Sequence, residues 1–277
     1  MKAGVAFELA NDRPRYTGGS NVLLENLSES ARSLLRPHLS QRDFVVNDML
    51  LWKAGEPSRQ IYFPHSGLIS IAIPNDEGHI EVGSISRHAA VGFQTADAGT
   101  CGRVLVGGCF SIISICRFRE AARQNDELAS LVSLANEWLL TQAQRMAACN
   151  AIHSCNARLC RWLALASASV ESNLIHVTQE DIGCLLGLRR TTVTLMAQKL
   201  HADGIINYSR GRITIRDRTA LEAGACSCLE ALDRKHWPST RLAALGLSHT
   251  SAAHLLGNPS HRGSNFLAPS LSISQPK

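Results

Sequence analysis

The stretch TQEDIGCLLGLRRTTVTLMAQKL at residues 178–200 decides the fold of the C-terminal part of this chain. Thr178 is a good helix N-cap, and Asp181 three residues later completes a start that resembles a capping box. Gly187 stands where a tight turn between two crossed helices needs a positive φ or a close backbone approach. The inward positions of the second helix recur every three or four residues and are Val193, Met196, Ala197 and Leu200. The pattern predicts a helix-turn-helix.

The outward side of the second helix carries residues that point to a ligand. Arg189, Arg190 and Thr191 lie near its N-terminus, where the helix dipole and free amide groups favour an anion. In a DNA-binding helix-turn-helix this end enters the major groove. There Arg can bind guanine O6 and N7, and Thr can bond a base or touch a thymine methyl group. The polarity of this helix therefore favours binding of double-stranded DNA.

The next stretch, GIINYSRGRITIRDR at 204–218, predicts a strand, a tight turn and a second strand. This is the wing of a winged helix-turn-helix, and its tip carries two cations that can reach phosphates. Residues 178–218 hold seven Lys or Arg against four Asp or Glu, which is typical of a polyanion binder. A solvated face or a plain packing unit is the alternative. The candidate DNA-binding residues are Thr178, Arg189, Arg190, Thr191, Thr192, Thr194, Arg210 and Arg212.

Residues 42–118 have the character of an all-β domain. Short β-branched runs alternate with turn signals, as in FVV at 44–46 and FSIISI at 110–115. LISIAI at 68–73 and HIEVGSI at 79–85 flank the five residues PNDEG and predict a hairpin. Many short strands with glycine-rich corners indicate a β-sandwich or β-roll.

A helical period follows and predicts a long helix. Its apolar positions are spaced 4, 3, 4, 3, 4 and 3, which is a heptad seam with one polar member, and about 25 residues exceed what a small domain needs. We interpret this as a dimerisation helix that pairs with its own copy; a helix laid against the β domain is the alternative. The seam residues are Leu128, Val132, Ala135, Leu139, Gln142, Met146 and Cys149.

The fold class is therefore α+β, with an N-terminal double-stranded β-helix of the jelly-roll type, a long dimerisation helix and a C-terminal winged helix-turn-helix. The predicted divisions are a flexible arm (1–20), a β-roll domain (21–118), the dimerisation helix (119–152), the DNA-binding domain (153–234) and a disordered tail (235–277). No stretch approaches the roughly 18 apolar residues that span a bilayer, so no membrane partner is expected. The nine cysteines are an odd number, which favours reduced thiols in the cytoplasm.

The sequence offers little support for an enzyme or a metal protein. No HExxH motif, phosphate loop or nucleophile elbow occurs in the sequence, so no set of residues typical of an active site can be identified. Cys149, Cys155 and Cys160 are spaced by six and five, which is not a usual cluster pattern. Cys226 and Cys228 form a CxC pair, for which buried thiols are the favoured interpretation and a metal or redox role the alternative. We therefore predict no catalysis, no metal and no cofactor.

Residues 21–232 resemble the Crp/Fnr family of bacterial regulators. The resemblance is carried by residues 178–200 and 204–218, by ACNAIHSCNARLCRWL at 148–163, and by Gly55, Gly67, IYFP at 61–64 and Val91-Gly92 in the β region. It implies a cyclic-nucleotide-binding-like sensor and a homodimer that acts on RNA polymerase at a pseudo-palindromic promoter site. The family's base-contacting positions fall on Arg190, Thr191 and Leu195; Thr191 stands where Glu is typical and Leu195 where Arg is typical. Thr178 and Arg189 match positions that touch phosphate.

The predicted sensor site departs from the cyclic-nucleotide pattern of that family. Gly92 is followed by Phe93 instead of Glu, and Arg103 is followed by Val104 instead of Ser. Each lost hydrogen-bond partner costs about 1–3 kcal/mol, so we expect no tight binding of cAMP. The effector stays unknown, with Gly92, Phe93 and Arg103 as the candidate pocket. A small-molecule or redox sensor with vestigial DNA binding is the alternative function.

Overall fold

A computed structural model describes residues 20–45, 50–76, 78–93, 99–170 and 172–232. The predicted arm, apart from Ser20, and the whole predicted tail lie outside these residues. Within the described ranges, no helix combines the length and the apolar character needed to cross a bilayer.

The N-terminal region is a β-roll made of two antiparallel sheets. It opens with α1 (Val22–Glu25), α2 (Glu29–Leu35) and a short 3₁₀ helix (Arg36–His38). The strands are β1 (Ser40–Phe44), β2 (Leu50–Trp52), β3 (Gln60–Pro64), β4 (Leu68–Asn75), β5 (Gly78–Ile85), β6 (Cys101–Val106) and β7 (Gly108–Ser114). One sheet has the order β1-β7-β3 and the other β2-β6-β4-β5. Both sheets contribute buried side chains to one core, as Phe110 from β7 and Ile69 from β4 illustrate. The predicted β-roll is confirmed.

The β4–β5 hairpin is tighter than the five-residue loop predicted from sequence. Pairing continues to Asn75 opposite Gly78, and Pro74 pairs with His79. Pro74 is tolerated in this strand because β6 pairs with β4 only as far as Ala72, so the proline lies beyond the other neighbour's ladder.

Helices α3 (Ile115–Ala122), α4 (Asp126–Ile152) and α5 (Cys155–Val170) connect the roll to the C-terminal domain. Asn125 caps α4, because its side chain accepts from the backbone N–H of Leu128. The long helix predicted from the apolar period is therefore present. It begins at Asp126 instead of at the predicted residue 119, because residues 119–122 belong to α3.

The heptad seam of α4 packs inside its own chain. Leu128 is fully buried, Gln142 bonds to β5, and Cys149 lies against Cys226. Val132 and Leu139 are half-buried against the neighbouring core clusters. The assignment of the seam to a dimer contact is thus corrected for Leu128, Ala135, Gln142, Met146 and Cys149, which are buried within the single chain. For Val132 and Leu139, which are half-buried, it stays a prediction. A heptad spacing indicates that one face is covered but does not say what covers it.

The C-terminal region is a winged helix-turn-helix, as predicted. Its elements are β8 (Leu174–His176), α6 (Gln179–Leu186), α7 (Arg190–Ala202), β9 (Ile206–Ser209), β10 (Arg212–Ile215), α8 (Arg218–Ala223) and α9 (Cys228–Leu232). The three strands form a sheet in the order β8-β10-β9. Strand β8 was not predicted, because its three residues are too short to show a period. Its central Ile175 is fully buried opposite Ile213 and extends the wing sheet into the core.

Candidate nucleic-acid interface

The first helix of the motif starts with the predicted capping box. The side-chain oxygen of Thr178 accepts from the backbone N–H of Asp181 at 3.1 Å. The Asp181 carboxylate accepts in return from the backbone N–H of Thr178 at 3.2 Å. Two amide groups of the first turn are thereby satisfied, which fixes where α6 begins. Thr178 itself remains exposed beside the wing.

The turn between α6 and α7 depends on two glycines, of which only one was predicted. Gly187 adopts φ 62° and ψ 42°, the left-handed conformation that favours glycine. Gly183 is needed for space: a Cβ atom there would lie 2.8 Å from the carbonyl oxygen of Leu188. The backbone N–H of Leu188 donates to the Gly183 carbonyl at 2.8 Å, which closes the turn. The sequence analysis missed Gly183 because a helical glycine shows no turn signal.

Helix α7 presents one face to the core and the other to solvent. Val193, Ala197 and Leu200 are buried, and Met196 is half-buried against the same core. On the opposite face the Arg190 side chain is 70% exposed and Leu195 is 68% exposed. The predicted inward and outward positions are therefore where the spacing placed them.

Three threonines of α7 differ in their surroundings. Thr191 is exposed, whereas Thr192 and Thr194 are half-buried. The Thr194 hydroxyl lies 2.7 Å from Oε1 of Gln179 and 3.0 Å from the Arg190 carbonyl. Thr194 therefore ties the two helices of the motif together, in addition to lying beside the outward face.

The N-terminus of α7 is electrostatically suited to an anion. No side chain caps this end, in contrast to the capped starts of α6 and α8. Arg189 and Arg190 are both exposed there. The Arg190 guanidinium is 3.9 Å from the Glu180 carboxylate, and because both side chains are exposed this ion pair is worth only about 0–1 kcal/mol. A phosphate or a base edge can therefore replace it at little cost.

The wing turns through two residues with positive φ. Ser209 pairs with Arg212, and between them Arg210 has φ 34° and Gly211 has φ 76°. A two-residue turn of this type matches the twist of the flanking strands. Arg210 and Arg212 are both exposed at its tip. The fold therefore accepts an uncommon arginine conformation to place a cation at the end of the wing.

The candidate effector residues do not share one environment. Phe93 is buried in the core cluster beneath α3, with its ring 5.3 Å from that of Phe118 in an edge-on arrangement. Gly92 adopts φ 108°, and a Cβ atom there would meet the Gln60 carbonyl oxygen at 2.1 Å. Arg103 is half-buried on β6, opposite Ser70. Phe93 thus serves the hydrophobic core, and Gly92 allows the chain to pass β3.

The comparisons with known proteins agree with this geometry. Residues 157–223 match the family model described as the Crp-like helix-turn-helix domain. The chain contains a Crp-like helix-turn-helix domain. No curated protein matches the chain.

Solved structures extend the likeness beyond the Crp-like domain. A transcriptional regulator of the CRP family from Thermus thermophilus is 18% identical, with a TM-score of 0.57 over 69% of this chain and 99% of its own. FixK2 from Bradyrhizobium japonicum is 15% identical, with a TM-score of 0.56 over 68% of this chain and 98% of its own. The c-di-GMP responsive global regulator CLP from Xanthomonas campestris is 17% identical, with a TM-score of 0.55 over 69% and 100%. The chain thus has the fold of a Crp/Fnr-type transcription regulator, with the Crp-like domain at its C-terminal end.

Proposed function

We propose that this protein regulates transcription by binding a pseudo-palindromic site in double-stranded DNA as a homodimer. The observation that carries the proposal is the exposed, uncapped N-terminus of α7, which presents Arg189 and Arg190 beside the capped start of α6. This is the end of a recognition helix that enters the major groove.

The residues divide into base-reading and phosphate-binding groups. Arg190 and Thr191 are exposed on the first turn of α7 and are suited to base edges. Thr178, Arg189, Arg210 and Arg212 lie around them and are suited to phosphates, which set position but carry no sequence information. Thr192 and Thr194 lie at the edge of this surface, and Thr194 also positions the helices. Leu195 offers an exposed apolar contact, which suits a thymine methyl group.

The homodimer is proposed to form through the outward face of α4. Because five of the seven seam residues are buried by the chain itself, we place the contact with a second copy on the exposed flank of the helix, one position on from the seam. That side carries small residues around one exposed leucine, and Leu140 is 58% exposed. Its exposed members are Ala129, Ser133, Asn136, Leu140, Ala147 and Ala151. Two Crp-like domains paired in this way would read half-sites about one helical turn, roughly 34 Å, apart.

The β-roll is proposed as the sensor domain of this regulator, in the division 21–118, 119–152 and 153–234 expected from sequence. We expect no tight cAMP binding, because Phe93 is committed to the core and Val104 offers no hydroxyl. RNA polymerase as a partner and a cytoplasmic location follow from the resemblance to Crp/Fnr regulators, and catalysis has no part in the proposal.

The decisive experiment is selection of bound DNA from a random duplex pool with the full chain. A two-fold symmetric consensus with half-sites one helical turn apart is the expected result. Selected DNA without a consensus, bound with equal affinity to any duplex, would contradict the proposal and favour a sensor with vestigial DNA binding.

A further inference from the structure

Three cysteines and one histidine converge where α4 ends. Cys149 lies in the last turn of α4 and His153 follows as its C-cap residue, while Cys226 and Cys228 flank the start of α9. The Sγ atoms of Cys149 and Cys226 are 3.6 Å apart, and the Sγ atom of Cys228 is 3.6 Å from Nδ1 of His153. All four donor atoms lie within 4.8 Å of one another. Two segments that are 77 residues apart in sequence thus bring their donor atoms to one point.

The spacing of the donor atoms suits one small tetrahedral ion. Zinc binds sulfur at about 2.3 Å and imidazole nitrogen at about 2.0–2.1 Å, so the corners of its tetrahedron lie roughly 3.5–3.8 Å apart. The Cys149–Cys226 and Cys228–His153 distances, both 3.6 Å, fall in that range. Because irons and sulfides separate the cysteines of an iron–sulfur cluster, its ligands would have to lie farther apart. A closed set of three sulfurs and one nitrogen is also a usual donor set for structural zinc.

A buried cation beside the cluster supplies a second, independent observation. Arg161 is only 2% exposed, and its Nε and Nη2 atoms have no hydrogen-bond partner among the described residues. An uncompensated charge in such a place is costly. Arg161 lies close enough to Cys149 for its charge to act on that thiol. The guanidinium therefore needs a nearby negative charge, and the cluster is placed to provide it.

We propose that Cys149, His153, Cys226 and Cys228 bind one Zn²⁺ ion in a closed tetrahedral site. On binding, the three thiols each release one proton to solvent and bind as thiolates, while neutral His153 binds through Nδ1. Three thiolates and one divalent ion leave a net charge of minus one, which the buried Arg161 guanidinium compensates. This proposal departs from the expectation from sequence that no metal is bound.

The position of the site says what the ion would do. The joint between α4 and α5 lies at residues 153–154, and the backbone N–H of Cys226 donates to the carbonyl of Ala157, in the first turn of α5, at 3.4 Å. The ion would fasten the end of the long helix to the start of α9, directly after the Crp-like domain. It would thereby fix the angle at which that domain leaves α4, and it would stabilise the fold by closing a long chain segment.

The test is the metal content of the full chain, purified under reducing conditions without a metal-affinity tag, with Cys226→Ser and His153→Ala as variants. We expect about one zinc per chain in the parent protein and at least a tenfold loss in both variants. Cys155→Ser is the matched control, since Cys155 is half-buried two residues after His153 but outside the cluster, and it should keep its zinc.

Binding of Co²⁺ to the parent protein tests the site even if the variants fold poorly. After zinc is removed by a chelator, Co²⁺ titrated into the parent protein should produce the thiolate and tetrahedral absorption bands at one equivalent and raise the unfolding temperature. Reduced protein that takes up neither ion would overturn the proposal. So would a Cys149–Cys226 disulfide found by thiol counting, an iron–sulfur chromophore, or full zinc content in both variants. None of these readouts depends on DNA binding, so the site and the proposed function can fail separately.

Discussion

The side-chain amide of Gln142 forms hydrogen bonds with both the N–H and the carbonyl group of Ser84. Its Oε1 accepts from the Ser84 N–H at 3.0 Å, and its Nε2 donates to the Ser84 carbonyl at 3.0 Å. This pair of bonds fastens α4 to β5. A polar residue in a heptad seam can specify a partner helix, but here a strand of the same chain satisfies it.

Replacing Gln142 with Ala should therefore weaken the fold rather than the dimer. Two hydrogen bonds to buried backbone groups are lost, so we expect the free energy of unfolding to fall by about 1–3 kcal/mol. Urea unfolding measures this change. Gln144→Ala is the control, because Gln144 is exposed on the same helix and its replacement should change stability by less than about 0.5 kcal/mol. Equal stability of the two variants would show that the contact is not formed.

Leu140 lies on the exposed flank of α4. Its replacement should weaken the dimer and leave the stability of the monomer unchanged. Leu140→Glu places a charge in the proposed dimer contact but buries nothing in the monomer, because the side chain is already 58% exposed. We expect a shift from dimer to monomer in analytical ultracentrifugation with an unchanged unfolding profile of the monomer. Ile73→Glu, at a 47% exposed position on β4, is the matched control and should remain dimeric. A dimeric Leu140→Glu protein would exclude this face as the interface.

The winged helix could be predicted from sequence because its signals are local. The capping box at Thr178, the positive φ at Gly187 and the inward face through Val193 each depend on residues a few positions apart. The alternation of apolar and polar residues along α7 then predicts that Arg190 is exposed, whatever the rest of the fold. The same holds for the β-roll, whose alternating strands and turns are short-range features.

Contacts between distant segments could not be predicted from the sequence. The period of α4 indicated a covered face, but only the packing of β5 and α9 shows that the chain covers it. Likewise, Cys149 and His153 are separated by one helical turn and meet Cys226 only in the folded chain. The available signal was the pairing of a Cys/His turn at 149–153 with the CxC sequence at 226–228, which no short motif contains.

Arg190 should set base specificity. Arg190→Ala removes a group that can bind two acceptors of one base, so affinity for the selected site should fall by about 1–3 kcal/mol, while affinity for random duplex changes much less. Competition binding against the consensus and its single-base variants measures both. Arg119→Ala, an exposed arginine on α3, serves as the control. An unchanged preference at every position would remove α7 from the base-reading role.

Replacing Arg210 should weaken DNA binding without lowering the stability of the fold. Its φ of 34° is uncommon for arginine and easier for asparagine, so Arg210→Asn should leave the unfolding temperature unchanged or higher. The phosphate contact is lost, however, and binding should weaken about equally on all sequences. The slope of log K against log salt should then become shallower by about one unit. An unaltered slope would show that the wing tip does not touch DNA.

His65 should make stability depend on pH. Its Nδ1 accepts from the backbone N–H of Asn21 at 3.0 Å, so that nitrogen carries no proton, while Nε2 lies 2.7 Å from the Ser111 hydroxyl. Burial lowers the pKa of His65, and the weaker effect of Glu25 acts in the opposite direction. Protonation would break the Asn21 contact, which holds the start of α1 on the roll.

The sign of this effect follows from the lowered pKa. Below the ordinary histidine pKa of about 6.5, the unfolded chain takes up a proton at His65 that the folded chain does not. The stability contributed by His65 therefore falls as the pH drops from about 6.5 toward the pKa of the folded state, and it is constant above about 6.5. His65→Asn keeps an acceptor near the Nδ1 position but cannot titrate. Urea unfolding at pH 7.5 and 5.5 should therefore show a smaller loss for the variant than for the parent protein. Equal losses would mean that other groups, and not His65, determine the acid sensitivity of the roll.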